Sequence, residues 1–221
     1  MKRVLVVGGS RGIGLAITTH FKQRGDAVFI TARYGIEDIC DRLGVYGAHG
    51  HVAQDAHDIV RKAHLALGGL DIVINTAGTI SGRDNAVIET NVLGTWRLCQ
   101  EALVYRPESI VLFSGGGVGG PHPGADVDAL YTATKAAVVQ MAECLAARYP
   151  GTRVNSVAPG QVATRLTGWQ GASADAAVAL VDWLTSAAGR HVTGRLVSVR
   201  EGTEYWAEPE PEAGKLRRIM P

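Results

Sequence analysis

The chain turns from strand to helix through glycine within its first sixteen residues. Val4 to Val7 form a short, β-branched run, "GGSRGIG" follows, and Ile13, Ala16, Ile17 and Phe21 then recur at helical spacing up to Gly25. The glycine spacing, Gly8, Gly12, Gly14, is G-x-x-x-G-x-G. It is neither the G-x-G-x-x-G fingerprint nor a phosphate loop, because no Lys-Ser/Thr follows the last glycine. In such a turn the glycine that closes the strand takes backbone angles closed to other residues, and a later one lets a phosphate approach the helix-terminal N–H groups. A tight structural turn is the competing reading of the same spacing.

The rest of the chain repeats the alternation. "AVFITAR", "LDIVIN", "SIVLFS", "TRVNSVA" and "GRLVSV" read as strands, and "DIVRKAHLAL", "NAVIETNVLGTWRLCQEAL", "LYTATKAAVVQMAECLAARY" and "SADAAVALVDWLTSAA" as helices. Strands apolar on both faces and separated by helices predict a parallel sheet covered on both sides, a Rossmann-like, doubly wound, three-layer α/β fold in a single domain of 221 residues. Residues 34–54 leave room only for a stunted helix and an irregular third strand. The tail, 204–221, mixes charge with proline and is expected to be loosely ordered or to lie on a neighbouring subunit.

Charge excludes some roles. With 22 basic and 21 acidic residues the net charge is +1, which gives no field for nucleic acid or an anionic membrane surface. Cys40, Cys99 and Cys144 are widely spaced and fit neither a disulfide framework nor a C-x-x-C site, so a reducing, cytoplasmic setting is expected. His49, His51, His57 and His64 lack the ligand spacing of a zinc site, and no metal is expected.

With these parts in place, the sequence resembles the short-chain dehydrogenase/reductase family nearly end to end. "VGGSRGIG" matches its Thr-Gly-x-x-x-Gly-x-Gly turn, with Val7 in place of the usual Thr. "NTAG" (75–78) stands for Asn-Asn-Ala-Gly, "ETNVLGTW" holds the helix Asn91, "YTATK" (131–135) is Tyr-x-x-x-Lys, and "VNSVAPGQVAT" (154–164) is the stretch beside the nicotinamide. Five motifs stand in family order.

On a helix, Tyr131 and Lys135 share a face, so an ammonium near the phenol is expected to favour its ionised form and make Tyr131 a general acid or base near neutral pH. The resemblance implies that Lys135 also holds the nicotinamide ribose and that Asn91 supports a water-linked proton path to it. It further implies a Ser that hydrogen-bonds the substrate oxygen. Ser114 is the candidate, seventeen positions ahead of Tyr131 where about a dozen is usual, and Gly115 follows it.

For the cofactor, the resemblance implies contacts from Gly8, Ser10, Arg11, Gly12, Ile13 and Gly14 in the first turn, and from Asn75, Ala77 and Gly78 after the fourth strand. Pro159, Gly160, Val162 and Thr164 follow the sixth strand. Arg33 stands at the end of the second strand, where an acid would accept a ribose 2′-OH, and Arg11 adds a second guanidinium. The pair favours NADP(H) over NAD(H). His51 and Val52 occupy the place of an Asp-Val beside adenine. Trp169, in the segment that corresponds to the family's substrate-covering loop, is a candidate substrate contact, while Trp96 and Trp183 are expected in core or interface.

The expected activity is therefore NADP-dependent interconversion of a ketone and a secondary alcohol, on a polar sugar- or cyclitol-like substrate, in a homodimer or homotetramer. A non-catalytic nucleotide sensor on the same fold is the alternative.

Overall fold

A computed structural model describes residues 1–80, 84–115 and 129–199. Seven strands form one parallel sheet: β1 (Arg3–Val7), β2 (Ala27–Ala32), β3 (Tyr46–His49), β4 (Ile72–Asn75), β5 (Ser109–Phe113), β6 (Arg153–Ala158) and β7 (Leu196–Ser198). Their order is β3-β2-β1-β4-β5-β6-β7, so the winding reverses between β1 and β4. Val4 pairs with Val28 on one side and Ile72 on the other. Such a reversal opens a crevice beyond the carboxyl ends of the strands, where ligands of this architecture bind.

Both faces of the sheet are covered. Val4 and Val6 point to one side with Ile17 and Phe21 of α1 (Gly12–Gln23) and Leu180 and Leu184 of α7 (Asp175–Thr185). Leu5 and Val7 point to the other, with Ile59 of α3 (Ala56–Leu67), Leu98 of α5 (Thr95–Val104) and Leu145 of α6 (Ala129–Arg148). This two-sided burial is the physical reason that the strands read as unbroken apolar runs. The short stretch between β2 and α3 folds as α2 (Glu37–Leu43) and the four-residue β3, as its length requires.

One element departs from the sequence expectation. The helix expected over 85–103 is broken into α4 (Asp84–Ile88), a π-helical turn (Glu89–Gly94) and α5. The wide turn carries Asn91 inward, where its side chain is bonded on three sides, and sets Gly94 where a Cβ would lie 2.7 Å from Val52 Cγ1. π-turns inserted in α-helices are common at functional sites. The C-terminal tail lies outside the described residues.

Candidate active site

The residues singled out by sequence converge on the carboxyl edge of the sheet. In the first turn Gly8 has φ +84°, and a Cβ on Gly14 would stand 2.2 Å from the Gly8 carbonyl oxygen and 2.5 Å from Thr76 Oγ1. No side chain fits there, so the start of α1 is pressed against the ends of β1 and β4. The Thr76 hydroxyl donates to the Val7 carbonyl at 2.8 Å, so the hydroxyl at this turn comes from β4's exit and not from position 7. Gly12, at φ +54°, faces the Thr164 methyl group, which would be 3.1 Å from a Cβ. The α1 terminus and the loop after β6 thus form two walls of a cradle floored by backbone, which suits a pyrophosphate at a helix N-terminus.

At the β4 exit, Asn75 turns back on its own loop. Its Oδ1 accepts from the Ala77 N–H at 3.1 Å and its Nδ2 donates to Thr95 Oγ1 at 3.0 Å. Asn91, fully buried, binds the Thr79 N–H and carbonyl, each at 2.9 Å, and donates to Thr134 Oγ1 at 3.0 Å. Thr134 in turn donates to the Tyr131 carbonyl at 2.7 Å. Gly78 closes this group, since a Cβ there would lie 3.1 Å from Lys135 Nζ and 3.4 Å from Asn91 Oδ1.

Lys135 is buried, and its ammonium donates to the Phe113 carbonyl at 2.9 Å and stands 5.7 Å from the Tyr131 ring centroid. Burial pushes its pKa down to about 8. Burial also pushes the half-buried Tyr131 phenol above its usual value, which corrects the expectation that Lys135 would draw it toward neutrality. Desolvation of the phenolate outweighs an ammonium that is itself desolvated and engaged by a carbonyl.

Ser114 is buried and its Oγ lies 3.1 Å from the Val157 carbonyl oxygen. A carbonyl only accepts, so the hydroxyl proton belongs to that bond. The residue whose side-chain direction meets Tyr131 is the next one: a Cβ on Gly115 would stand 3.5 Å from Tyr131 Oη.

At the other end of the crevice Arg11 and Arg33 are exposed, flanking the glycine turn and the β2 exit, with no carboxylate within 4.0 Å among the described residues. Glu37, the first acid after β2, is engaged by His49 Nε2 at 2.5 Å, and His49 Nδ1 lies 3.2 Å from the Arg33 carbonyl oxygen. A hydrogen bond from its own backbone N–H, and then the contact with His49, hold the Glu37 carboxyl below its usual range, and the contact with Glu37 holds the His49 imidazole above its own. The His51 N–H donates to the Asp55 carboxylate at 2.7 Å, and Val52 is buried beneath it. His57 pairs with Glu101 and His64 stacks on Tyr105.

Beyond β6, Ala172 N–H donates to the Gln161 carbonyl at 2.9 Å and Ala163 N–H to the Ala172 carbonyl at 2.8 Å, which closes the segment into a loop. A short 3₁₀ turn (Arg165–Thr167) leads to Trp169 at its tip, exposed and at φ +65°, a costly conformation for a bulky residue. Trp183 packs at the margin of the α1/α7 core, and Trp96 is partly exposed on α5.

Three threonines join the site without having been singled out in the sequence, although Thr76 lies within "NTAG" and Thr134 within "YTATK". Thr76, Thr79 and Thr134 are ordinary threonines in sequence, and only the fold places their polar groups on the glycine turn and on Asn91. Gly115 was visible as the residue after Ser114, but the direction of its missing side chain was not.

Comparison with known proteins agrees with this geometry. A short chain dehydrogenase family model matches residues 2–175. The 3-oxoacyl-acyl-carrier-protein reductase of Escherichia coli is 32% identical over 188 residues, 75% of each chain, and the L-fucose dehydrogenase of Rattus norvegicus is 32% identical over 194 residues, 76% of this chain and 68% of that one. Among solved structures, a glucose/ribitol dehydrogenase-type member from Brucella melitensis superposes with a TM-score of 0.79 at 27% identity, over 88% of this chain and 93% of that one. A short chain dehydrogenase from Burkholderia cenocepacia in complex with NADP gives a TM-score of 0.80 at 25% identity, over 89% and 95% of the two chains. The crevice at the β1/β4 reversal, the glycine turn and the Tyr131–Lys135 helix are thus parts of an NAD(P)-dependent oxidoreductase, and the chain belongs to the short-chain dehydrogenase/reductase family.

Proposed function

We propose that this oxidoreductase interconverts a ketone and a secondary alcohol with NADP(H), working on a polar, hydroxyl-rich small molecule. The carrying observation is the half-buried Tyr131 phenol set one helical turn from a buried Lys135, beside the glycine cradle.

The residues present suit a dinucleotide. Gly8 to Gly14, with Ser10 and Ile13, would hold its pyrophosphate together with Thr164. Asn75, Ala77 and Gly78 would line its middle, and Pro159, Gly160 and Val162 its nicotinamide end. His51 and Val52 would flank the adenine. Arg11 and Arg33 would take a ribose 2′-phosphate, a role favoured by their exposure and by the engagement of Glu37 with His49. When bound, the nicotinamide supplies or accepts the hydride.

The chain's own groups manage the proton. Tyr131 Oη gives it to the carbonyl oxygen in reduction and takes it back in oxidation. Lys135, held by the Phe113 carbonyl, keeps a cation near the phenol as charge develops there, and Asn91 fixes the loop and helix that border Lys135. Ser114 holds the β5 exit to β6 through Val157. A sugar-like substrate is supported by two relatives whose names state glucose/ribitol and L-fucose, and a homodimer or homotetramer through α5 and α6 by the partly exposed Trp96 and Leu93 beside them.

Fluorescence titration with NADPH and then NADH tests the cofactor assignment. NADPH is expected to bind about tenfold tighter, about 1.4 kcal/mol. NADH binding equally well removes the role of the two arginines, and binding of neither removes the nucleotide site.

A further inference from the structure

A histidine from β3 closes the loop that carries Arg33. β2 and β3 run side by side with Ala32 paired to His49, so the end of β3 brings His49 back to the β2 exit. That exit begins at the nucleotide cradle, because the Gly8 N–H donates to the Thr31 carbonyl at 2.7 Å, two residues before Arg33. The chain then turns through Gly35, at φ +66°, and Ile36, which is buried in the α1 side of the core. Glu37 follows, so a guanidinium and a carboxylate sit four residues apart on one pinned, exposed turn. His49 Nδ1 lies 3.2 Å from the Arg33 carbonyl oxygen and Nε2 lies 2.5 Å from Glu37 Oε1. A carbonyl and a carboxylate only accept, so a ring that bonds both donates from each nitrogen, which is the behaviour of an imidazolium.

We infer that His49 is a specificity-determining residue for the nucleotide: by bonding Glu37 it withholds a carboxylate from the ribose 2′ position and leaves Arg33 to set the preference for NADP(H). This rests on the NADP(H) reading above and adds the residue that guards it. A carboxylate beside the ribose accepts from a 2′-OH and repels a 2′-phosphate, whereas a guanidinium favours the phosphate. The turn carries one group of each kind, so the group left free decides which nucleotide is favoured. With His49 in place, Glu37 is spoken for and its charge is balanced, while Arg33 has no carboxylate within 4.0 Å among the described residues. Asp55, beyond β3, is likewise engaged, by the His51 N–H at 2.7 Å. His49 touches no reacting atom and acts through Glu37 and the Arg33 carbonyl, which makes it a positioning residue. An exposed pair of this kind adds little to stability, so its removal spares the fold and reads out on the ligand.

Fluorescence titration of wild type, His49→Ala and the double variant His49→Ala/Glu37→Gln with NADPH and with NADH tests the inference. His49→Ala frees the Glu37 carboxylate, so NADPH is expected to bind about fivefold or more weakly while NADH binds as tightly as before or tighter. Glu37→Gln added to His49→Ala removes the freed charge without restoring any bond to position 49, and should recover most of the lost NADPH affinity. A purely structural clasp would give no such recovery, because the second substitution leaves the loop as open as the first. NADH serves as the control for folding, since it shares every part of the cofactor except the 2′-phosphate. A ratio of NADPH to NADH affinity that stays within about twofold of wild type in His49→Ala overturns the inference, as does a double variant no better than the single one. Both results leave the NADP(H) reading intact. Wild type binding NADH as tightly as NADPH removes that reading before any variant is made, and the inference falls with it.

Discussion

The Asn91 side-chain amide donates to Thr134 Oγ1 at 3.0 Å and so ties the π-helical turn to the helix that carries Tyr131 and Lys135. Asn91 also bonds both backbone groups of Thr79, so its removal breaks three hydrogen bonds made by a fully buried side chain. Asn91→Ala is expected to cost about 2–4 kcal/mol in urea unfolding. Thr134→Val, which removes only one partner of Asn91, should cost about 1 kcal/mol, and the two effects should be less than additive in a double-mutant cycle.

Two glycines separate packing from backbone strain. At Gly14 a Cβ would meet the Gly8 carbonyl at 2.2 Å, whereas at Gly25, with φ +89°, it would meet nothing within 4 Å. Gly14→Ala must push α1 off the sheet, so it is expected to cost more than about 2 kcal/mol and to abolish NADPH binding. Gly25→Ala carries only the conformational penalty, about 1–2 kcal/mol, and should bind NADPH as wild type does. Thermal unfolding and fluorescence titration of both variants check the contrast.

The parts of the fold legible in the sequence were those fixed by local pattern. β1, β4 and β5 are apolar on both faces because both faces are covered, and Tyr131 and Lys135 share a face because four residues make about one helical turn. What pattern could not show depends on contacts far apart in the chain. The break at Glu89–Gly94 follows from Asn91 meeting Thr79 and Gly94 meeting Val52. The different surroundings of neighbours Ser114 and Gly115, one against the Val157 carbonyl and the other against Lys135 and Tyr131, depend on β6 and α6, which lie far along the chain. The direction of the Tyr131 pKa follows from burial, which no spacing reports.

Lys135 makes stability depend on pH. Its pKa is pushed down by burial from 10.5 to about 8 in the folded chain. Below pH 8 the lysine is charged in both states and its burial opposes folding in full. Between pH 8 and 10.5 the unfolded chain binds the extra proton, so the folded state gains as pH rises. Relative to Lys135→Met, wild type should therefore gain about 3 kcal/mol across that window, at about 1.4 kcal/mol per pKa unit. Denaturant unfolding of both proteins at pH 7 and pH 10 measures this difference, and a constant gap contradicts it.

The exposed guanidinium groups of Arg11 and Arg33 are expected to discriminate between cofactors without supporting the fold. Arg33→Ala should weaken NADPH binding about tenfold, Arg11→Ala by a similar or smaller factor, and neither should change NADH affinity beyond about twofold. Loss of NADH affinity in step with NADPH would place the arginines on the shared pyrophosphate.

The central claim is that Tyr131 is the proton donor of a nicotinamide-dependent reductase. It is tested most directly by measuring NADPH binding and carbonyl-dependent NADPH oxidation side by side in wild type and Tyr131→Phe, with phenacyl alcohol as the oxidant. The substitution removes one oxygen from a half-buried ring, so the variant should bind NADPH as tightly as wild type and oxidise it about 10²–10⁴ times more slowly. A variant that keeps near wild-type turnover would contradict the assignment of Tyr131.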